Sequence, residues 1–262
     1  MTMILKAVGP SRGAQWVRDG LRLYLQRPLG FTALFVLFLF VALFSALVPL
    51  IGGVLQLALL PLLSLGFMIA SQAVLLQGNV HPRQFLEPLR GPPEQRRAML
   101  ILCGLYALCV VLALWLADLV SAGALSRAMD LMRLGNPPQA EMQALLADRG
   151  LLSGTLLGAG LLALLSVPFW HAPALVHWGA QGVGQALFSS TLAVWRSRGA
   201  FLVYMIVWFL LVMGVGVLSA LLFGLLGLRD LGSMVAMPAG LFFSTLFYVS
   251  LIFTFNDSFG SA

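Results

Sequence analysis

The segment Pro168-Phe-Trp-His171-Ala-Pro173-Ala-Leu-Val-His177-Trp178 holds two histidines, each next to a tryptophan. Imidazole nitrogens ligate haem iron and other metals, so His171 and His177 are the candidate cofactor-binding residues. Their spacing works against a shared site. Six residues along a helix rotate by about 240° net, which puts the two rings on different faces. His81 is the one other histidine, and no cysteine or carboxylate lies in 168–178, whereas metal sites converge three or four ligands. The competing reading is an aromatic-belt segment in which a span kinks at Pro173 and leaves the membrane. No metal and no cofactor is assigned, and haem ligation by either histidine stands as the alternative.

Asp118 is the carboxylate that this reading places nearest a span, and ionisable groups in membranes are functional candidates by default. It falls at the outer end of its helix: an interfacial residue near Arg127 or Arg149, or, in the sharper reading, a proton or ion relay. Gln56, Ser71 and Gln72 would line a polar path, or hydrogen-bond between helices. Gly154-Thr-Leu-Leu-Gly158 is a G-x-x-x-G spacing that permits close helix approach. Cys103 and Cys109 stand about 9 Å apart along one helix axis, too far to bridge, and read as small buried residues. The sequence has no P-loop, nucleophile elbow or H-E-x-x-H. The chain is expected not to be an enzyme.

The elements that must position these residues follow from composition. Of 262 residues 60% are hydrophobic, and only 15 basic and 9 acidic side chains are present, where a soluble chain this long would carry roughly 65 charges. The charges are segregated as well, with none between Arg27 and Arg83. A membrane helix needs about 20 apolar residues. The reading is an all-α, polytopic membrane bundle forming a single integral membrane domain over 1–262. Six spans fall near 29–50, 53–77, 98–120, 151–172, 200–226 and 233–255. Residues 121–150 form a periplasmic helical hairpin turning at Gly135-Asn136-Pro137-Pro138, either a cap on the bundle or a docking surface.

Positive charge orients the spans. Lys6, Arg12, Arg18, Arg22, Arg27, Arg83, Arg90, Arg96, Arg97, Arg196 and Arg198 fall on one side; Arg127, Arg133, Arg149 and Arg229 fall on the other. Both termini are therefore expected in the cytoplasm, and the basic balance reflects topology and anionic phospholipid headgroups, with no need of nucleic acid. Residues 11–27 read as an interfacial amphipathic helix. Arg12, Arg18, Arg22 and Arg27 contact headgroups, Trp16 and Tyr24 sit at the boundary, and Val17, Leu21, Tyr24 and Leu25 are buried in lipid. Similar polar segments precede the third and fifth spans, which suggests a threefold repeat of interfacial helix plus hairpin, with 121–150 inserted in the middle unit.

Two stretches carry a resemblance. They are Gly13-x-x-Trp16-Val17-x-x-Gly20-x-x-Leu23-Tyr24-x-x-x-Pro28, and Ala172-Pro173-Ala174-Leu175-Val176 followed by Ala186, Ser189, Arg196, Phe201 and Tyr204. The chain resembles a family of uncharacterised proteobacterial inner-membrane proteins of about this length. It is more distantly similar to the repeated membrane portion of bacterial glycerophosphodiester phosphodiesterases, whose catalytic domain and acidic metal ligands it lacks. Ser197-Arg198-Gly199 stands where that family usually has an Asn-aromatic pair. The resemblance implies the bacterial inner membrane and packing roles for its motifs. The leading functional expectation is an accessory or scaffold subunit of a larger inner-membrane assembly, bound to another integral membrane protein or to copies of itself. The alternative is a transporter or lipid-handling protein for a largely apolar substrate, and a third reading is a haem-binding redox protein.

Overall fold

A computed structural model describes residues 3–49, 51–133, 138–227 and 229–261. The turn residues Gly135, Asn136 and Pro137 lie outside the described residues. The chain is an all-α polytopic bundle with six helices long and apolar enough to cross a membrane. Proline places several of the boundaries. Helix α1 (Ser11–Gln26) ends at Arg27, and Pro28 opens α2 (Pro28–Ala46) at its first turn, where the missing amide proton costs nothing. Pro93 does the same for α4 (Pro93–Val120), which follows α3 (Gly52–Leu75) and two short 3-10 turns, Pro82–Phe85 and Glu87–Leu89.

Outside the spans, α5 (Ala124–Arg133) and α6 (Gln139–Leu146) form the insertion, which packs on α7 (Arg149–Phe169) through a small core of Ala124, Ala128 and Leu145. The Asp148 carboxylate caps α7, accepting from the Gly150 amide at 2.7 Å, a common way to satisfy a free helix-end amide. The chain then runs through α8 (Ala172–Trp178), α9 (Val183–Arg196), α10 (Arg198–Leu225) and α11 (Arg229–Ser258). Strand β1 (Met3–Leu5) pairs antiparallel with β2 (Phe259–Ser261), so both termini meet at one end of the bundle.

Three hairpins, α2–α3, α4–α7 and α10–α11, make the membrane body. The segment ahead of each hairpin packs on the hairpin before it, taken cyclically. Helix α1 lies on α10 and α11, the 3-10 turns lie on α3, and α9 lies on α7. Two of the three are helical; the middle one, interrupted by Pro88 and Gly91-Pro92-Pro93, is reduced to turns.

Burial is uneven along the spans. In α10 the buried residues run from Ala200 to Trp208, and in α11 they begin at Thr245 among the described residues. The core therefore sits in the half of the bundle near the termini, while the far halves of α10 and α11 stand apart. The α4–α7 hairpin instead is closed at its far end. A β-carbon at Gly154 would meet Ser121 Cβ at 2.6 Å and Ala117 O at 2.8 Å, and one at Gly158 would meet Ala117 Cβ at 3.2 Å. The G-x-x-x-G spacing is a packing feature, as small residues at helix crossings are.

Candidate functional site

Most residues singled out for chemistry turn out to hold helices together. Gln56 donates to the Ala42 carbonyl at 2.7 Å and ties α3 to α2, while Ser71 donates to Val249 O at 3.3 Å and ties α3 to α11. Gln72 is exposed. Gln56 and Ser71 are thus engaged with different neighbouring helices. Asp118 accepts from the Ser126 amide at 2.8 Å and so caps the start of α5. Arg127 pairs with Asp148 at 3.9 Å.

His171 is fully buried at the junction of α7 and α8. Its Nε2 lies 3.1 Å from Thr254 Oγ1, and the same Oγ1 lies 2.7 Å from Leu251 O. A hydroxyl has one proton to give, to Nε2 or to Leu251 O, and Nδ1 has no partner among the described residues. Phe201, Phe255 and Phe259 surround the ring at centroid distances of 5.4–5.8 Å, so neither nitrogen is open to a ligand from outside. His177 is half-buried beside Trp178 on α8. Among the described residues no three His, Cys, Asp or Glu side chains converge.

The expected membrane-surface contacts of α1 need correction. Trp16 is 0% exposed, with its ring against Phe201 at 5.2 Å and Tyr204 at 5.8 Å. Tyr24 is buried, its hydroxyl 2.8 Å from Thr32 Oγ1. The buried face is Gly13, Trp16, Val17, Gly20, Leu23 and Tyr24, whereas Leu21 and Leu25 are 37% and 62% exposed. The helix is docked on protein, because two glycines let it approach α10 and α11 more closely than any lipid contact would reward. Arg18, Arg22 and Arg27 remain exposed. Arg12 turns inward instead and donates to Asp257 at 2.7 Å. Asp257, in the last turn of α11, is thus a second carboxylate at a span end, missed because its partners are more than 240 residues away in sequence. An exposed apolar edge on α9, the polar segment expected ahead of the fifth span, is made by Phe188, Leu192 and Trp195, where the Arg198 guanidinium lies 5.7 Å over the Trp195 ring.

The place where the spans leave room is elsewhere. A cavity of about 200 Å³ lies where α3, α4, α7 and α11 meet, walled by Ser64, Tyr106, Ser166, Phe169, Trp170 and Tyr248 among others. At about 1.5 Å per residue, Tyr106 and Tyr248 sit roughly 15–20 Å from the nearer ends of their helices, within the hydrocarbon depth of a bilayer. Phe247 and Tyr248 also line a groove of about 480 Å³ between α10 and α11. Val212, Phe243 and Ser244 join that groove to a wider one of about 720 Å³ in the far half of the same hairpin. Toward the termini the space is closed by aromatic rings: Trp170 meets Phe201 at 5.5 Å, Tyr204 at 6.1 Å and Phe247 at 6.0 Å. The arrangement is a row of clefts between the spans, bounded by aromatic rings at the end that carries the termini.

No family model matches the chain, and no solved structure matches it. It is 33% identical over 261 residues to a protein of Burkholderia thailandensis named as a probable inner membrane protein, with 98% of this chain and 94% of that relative covered.

Proposed function

Because the chain belongs to the family of that Burkholderia inner membrane protein, we propose that it resides in the bacterial inner membrane and handles a largely apolar, membrane-resident molecule without covalent catalysis. The observation that carries this is the cleft between α3, α4, α7 and α11, whose wall residues Phe247 and Tyr248 also line the α10–α11 groove. Binding sites are concave, mostly apolar, and furnished with a few polar groups, and this one lies at bilayer depth. The resemblance to the membrane portion of glycerophosphodiester phosphodiesterases finds no support in the relative that matches or in any family model, and no activity is drawn from it.

Purification in mild detergent followed by native mass measurement tests the reading. A stoichiometric lipid-sized adduct is expected, and it should disappear in Ser64→Trp, whose indole fills the cavity. A bare polypeptide mass would remove the proposal. An accessory-subunit role is the second reading, favoured by the small residues Gly216, Ala220 and Gly224 facing Ala236 and Gly240 across the wide groove. Such stripes suit an inserted partner helix, and the same measurement would then show a second protein in fixed ratio.

Both termini are proposed to be cytoplasmic, on the strength of the arginine asymmetry. A periplasm-active reporter fused after Ala262 should be silent and one inserted near Pro138 active. The reverse pattern would overturn the orientation.

A further inference from the structure

The cleft between α3, α4, α7 and α11, open on its outer side, has a chemical character that narrows its occupant. Every side chain lining it is uncharged, so a phosphate headgroup would be buried there without a counter-charge, at a cost of several kcal/mol or more. Ser64 and Ser166 spend their protons on backbone carbonyls three residues back, at 2.9 and 2.6 Å. The Tyr106 and Tyr248 hydroxyls have no hydrogen-bond partner among the described residues. The site therefore offers two phenolic donors that no protein group has taken up, beside two serine oxygens left as acceptors. Phe169, Trp170 and Phe247 supply aromatic walls, which favour a flat ring by offset or edge contact. At about 200 Å³ the space holds a small ring and no long tail, while the adjoining groove of about 480 Å³ is apolar and open.

We infer that this cavity binds a lipid whose head is a flat, uncharged ring bearing carbonyl oxygens, the quinone class, with its apolar tail lying along the α10–α11 groove. Tyr106 and Tyr248 donate to the ring carbonyls, and Trp170 bounds the ring's pocket. The inference rests on the lipid-handling reading and specifies its substrate. It requires no redox step and assigns none.

The test uses the full chain in nanodiscs and follows tryptophan fluorescence, with Trp170→Phe identifying the signal from the cavity wall. The probes are a benzoquinone bearing a decyl tail, decylbenzene as the same shape without carbonyls, and dioleoylglycerol as a source of ester carbonyls. Saturable quenching by the quinone is expected, weakened about tenfold per hydroxyl in Tyr106→Phe and Tyr248→Phe, as loss of a buried hydrogen bond predicts. Decylbenzene should bind more weakly and be indifferent to both changes. Each phenylalanine keeps the ring, including the Tyr248 contact with Phe67 at 5.5 Å, so the fold is retained. Equal binding of quinone and decylbenzene, no effect of either substitution, or stronger competition by dioleoylglycerol would overturn the quinone assignment while leaving an apolar site. Failure of all three probes to change the Trp170 signal would overturn the site itself.

Discussion

Replacing Gly13 by valine should undock α1 and lower stability by about 3 kcal/mol or more. A β-carbon at this position would lie 2.1 Å from Ala200 O and 2.7 Å from Tyr204 N. Both are backbone atoms within α10, so no rotamer change relieves the contact, and the helix itself must lift. Lifting it exposes Trp16, Leu23 and Tyr24, all now buried, and each large apolar side chain loses about 1.5–3 kcal/mol of burial. The same argument applies at Gly20, where a β-carbon would lie 2.5 Å from Ser250 Cβ. That neighbour is a side-chain atom joined to a rigid helix, so Gly20→Val should be nearly as damaging. Denaturation in detergent, followed by Trp16 fluorescence against a Trp16→Phe background, measures both. A Gly13→Val protein that unfolds like the parent would show that α1 is not held in this groove.

The α1 case shows what the sequence could and could not disclose. Hydropathy places Val17, Leu21, Tyr24 and Leu25 on one face and directs that face to lipid. The structure turns the helix so that Gly13 and Gly20 join Trp16 on the buried side. Glycine has almost no hydropathy, yet it permits the closest approach of two backbones, so a hydropathy pattern is blind to the residues that decide docking here. The resemblance motif did contain them: Gly13, Trp16, Val17, Gly20, Leu23 and Tyr24 are the buried residues of α1. The spans were legible for the opposite reason. Their signal is cumulative composition over twenty or more residues, and six helices satisfy it.

The cavity was not legible. Tyr106 and Tyr248 are separated by 142 positions and stand on helices that read as uniformly apolar. Nothing local distinguishes a tyrosine aimed into a space from one aimed at a neighbour. The polar residues that did attract attention, Gln56 and Ser71, had their hydrogen-bond capacity met across helices, because an unpaired amide or hydroxyl in hydrocarbon is costly. Polarity inside a span therefore marks contact as readily as function. What separates the two is whether the group finds a partner once the helices are assembled.

Asp257→Ala should cost about 2–3 kcal/mol, and the cause would be the indole rather than the ion pair. One carboxylate oxygen, Oδ2, accepts from Arg12 Nε and from Trp16 Nε1, each at 2.7 Å. The Arg12 and Asp257 side chains are 37% and 28% exposed, so water and salt screen their attraction and its share is small. The hydrogen bond raises the Arg12 pKa, and Arg12 already holds Gln15 Oε1 at 2.6 Å through Nη1, a bond that survives the loss of Asp257. Trp16 is fully buried and has no such second bond among the described residues. Its stranded N–H bears the desolvation cost of an unmade bond, about 1–3 kcal/mol. Asp257→Asn keeps an acceptor for the indole and should cost about 1 kcal/mol. In a Trp16→Phe background there is no N–H to strand, and Asp257→Ala should then lose most of its effect. Raising the salt concentration should barely alter the alanine variant's deficit. Equal losses for the alanine and asparagine variants, or a deficit that salt erases, would assign the effect to the ion pair instead.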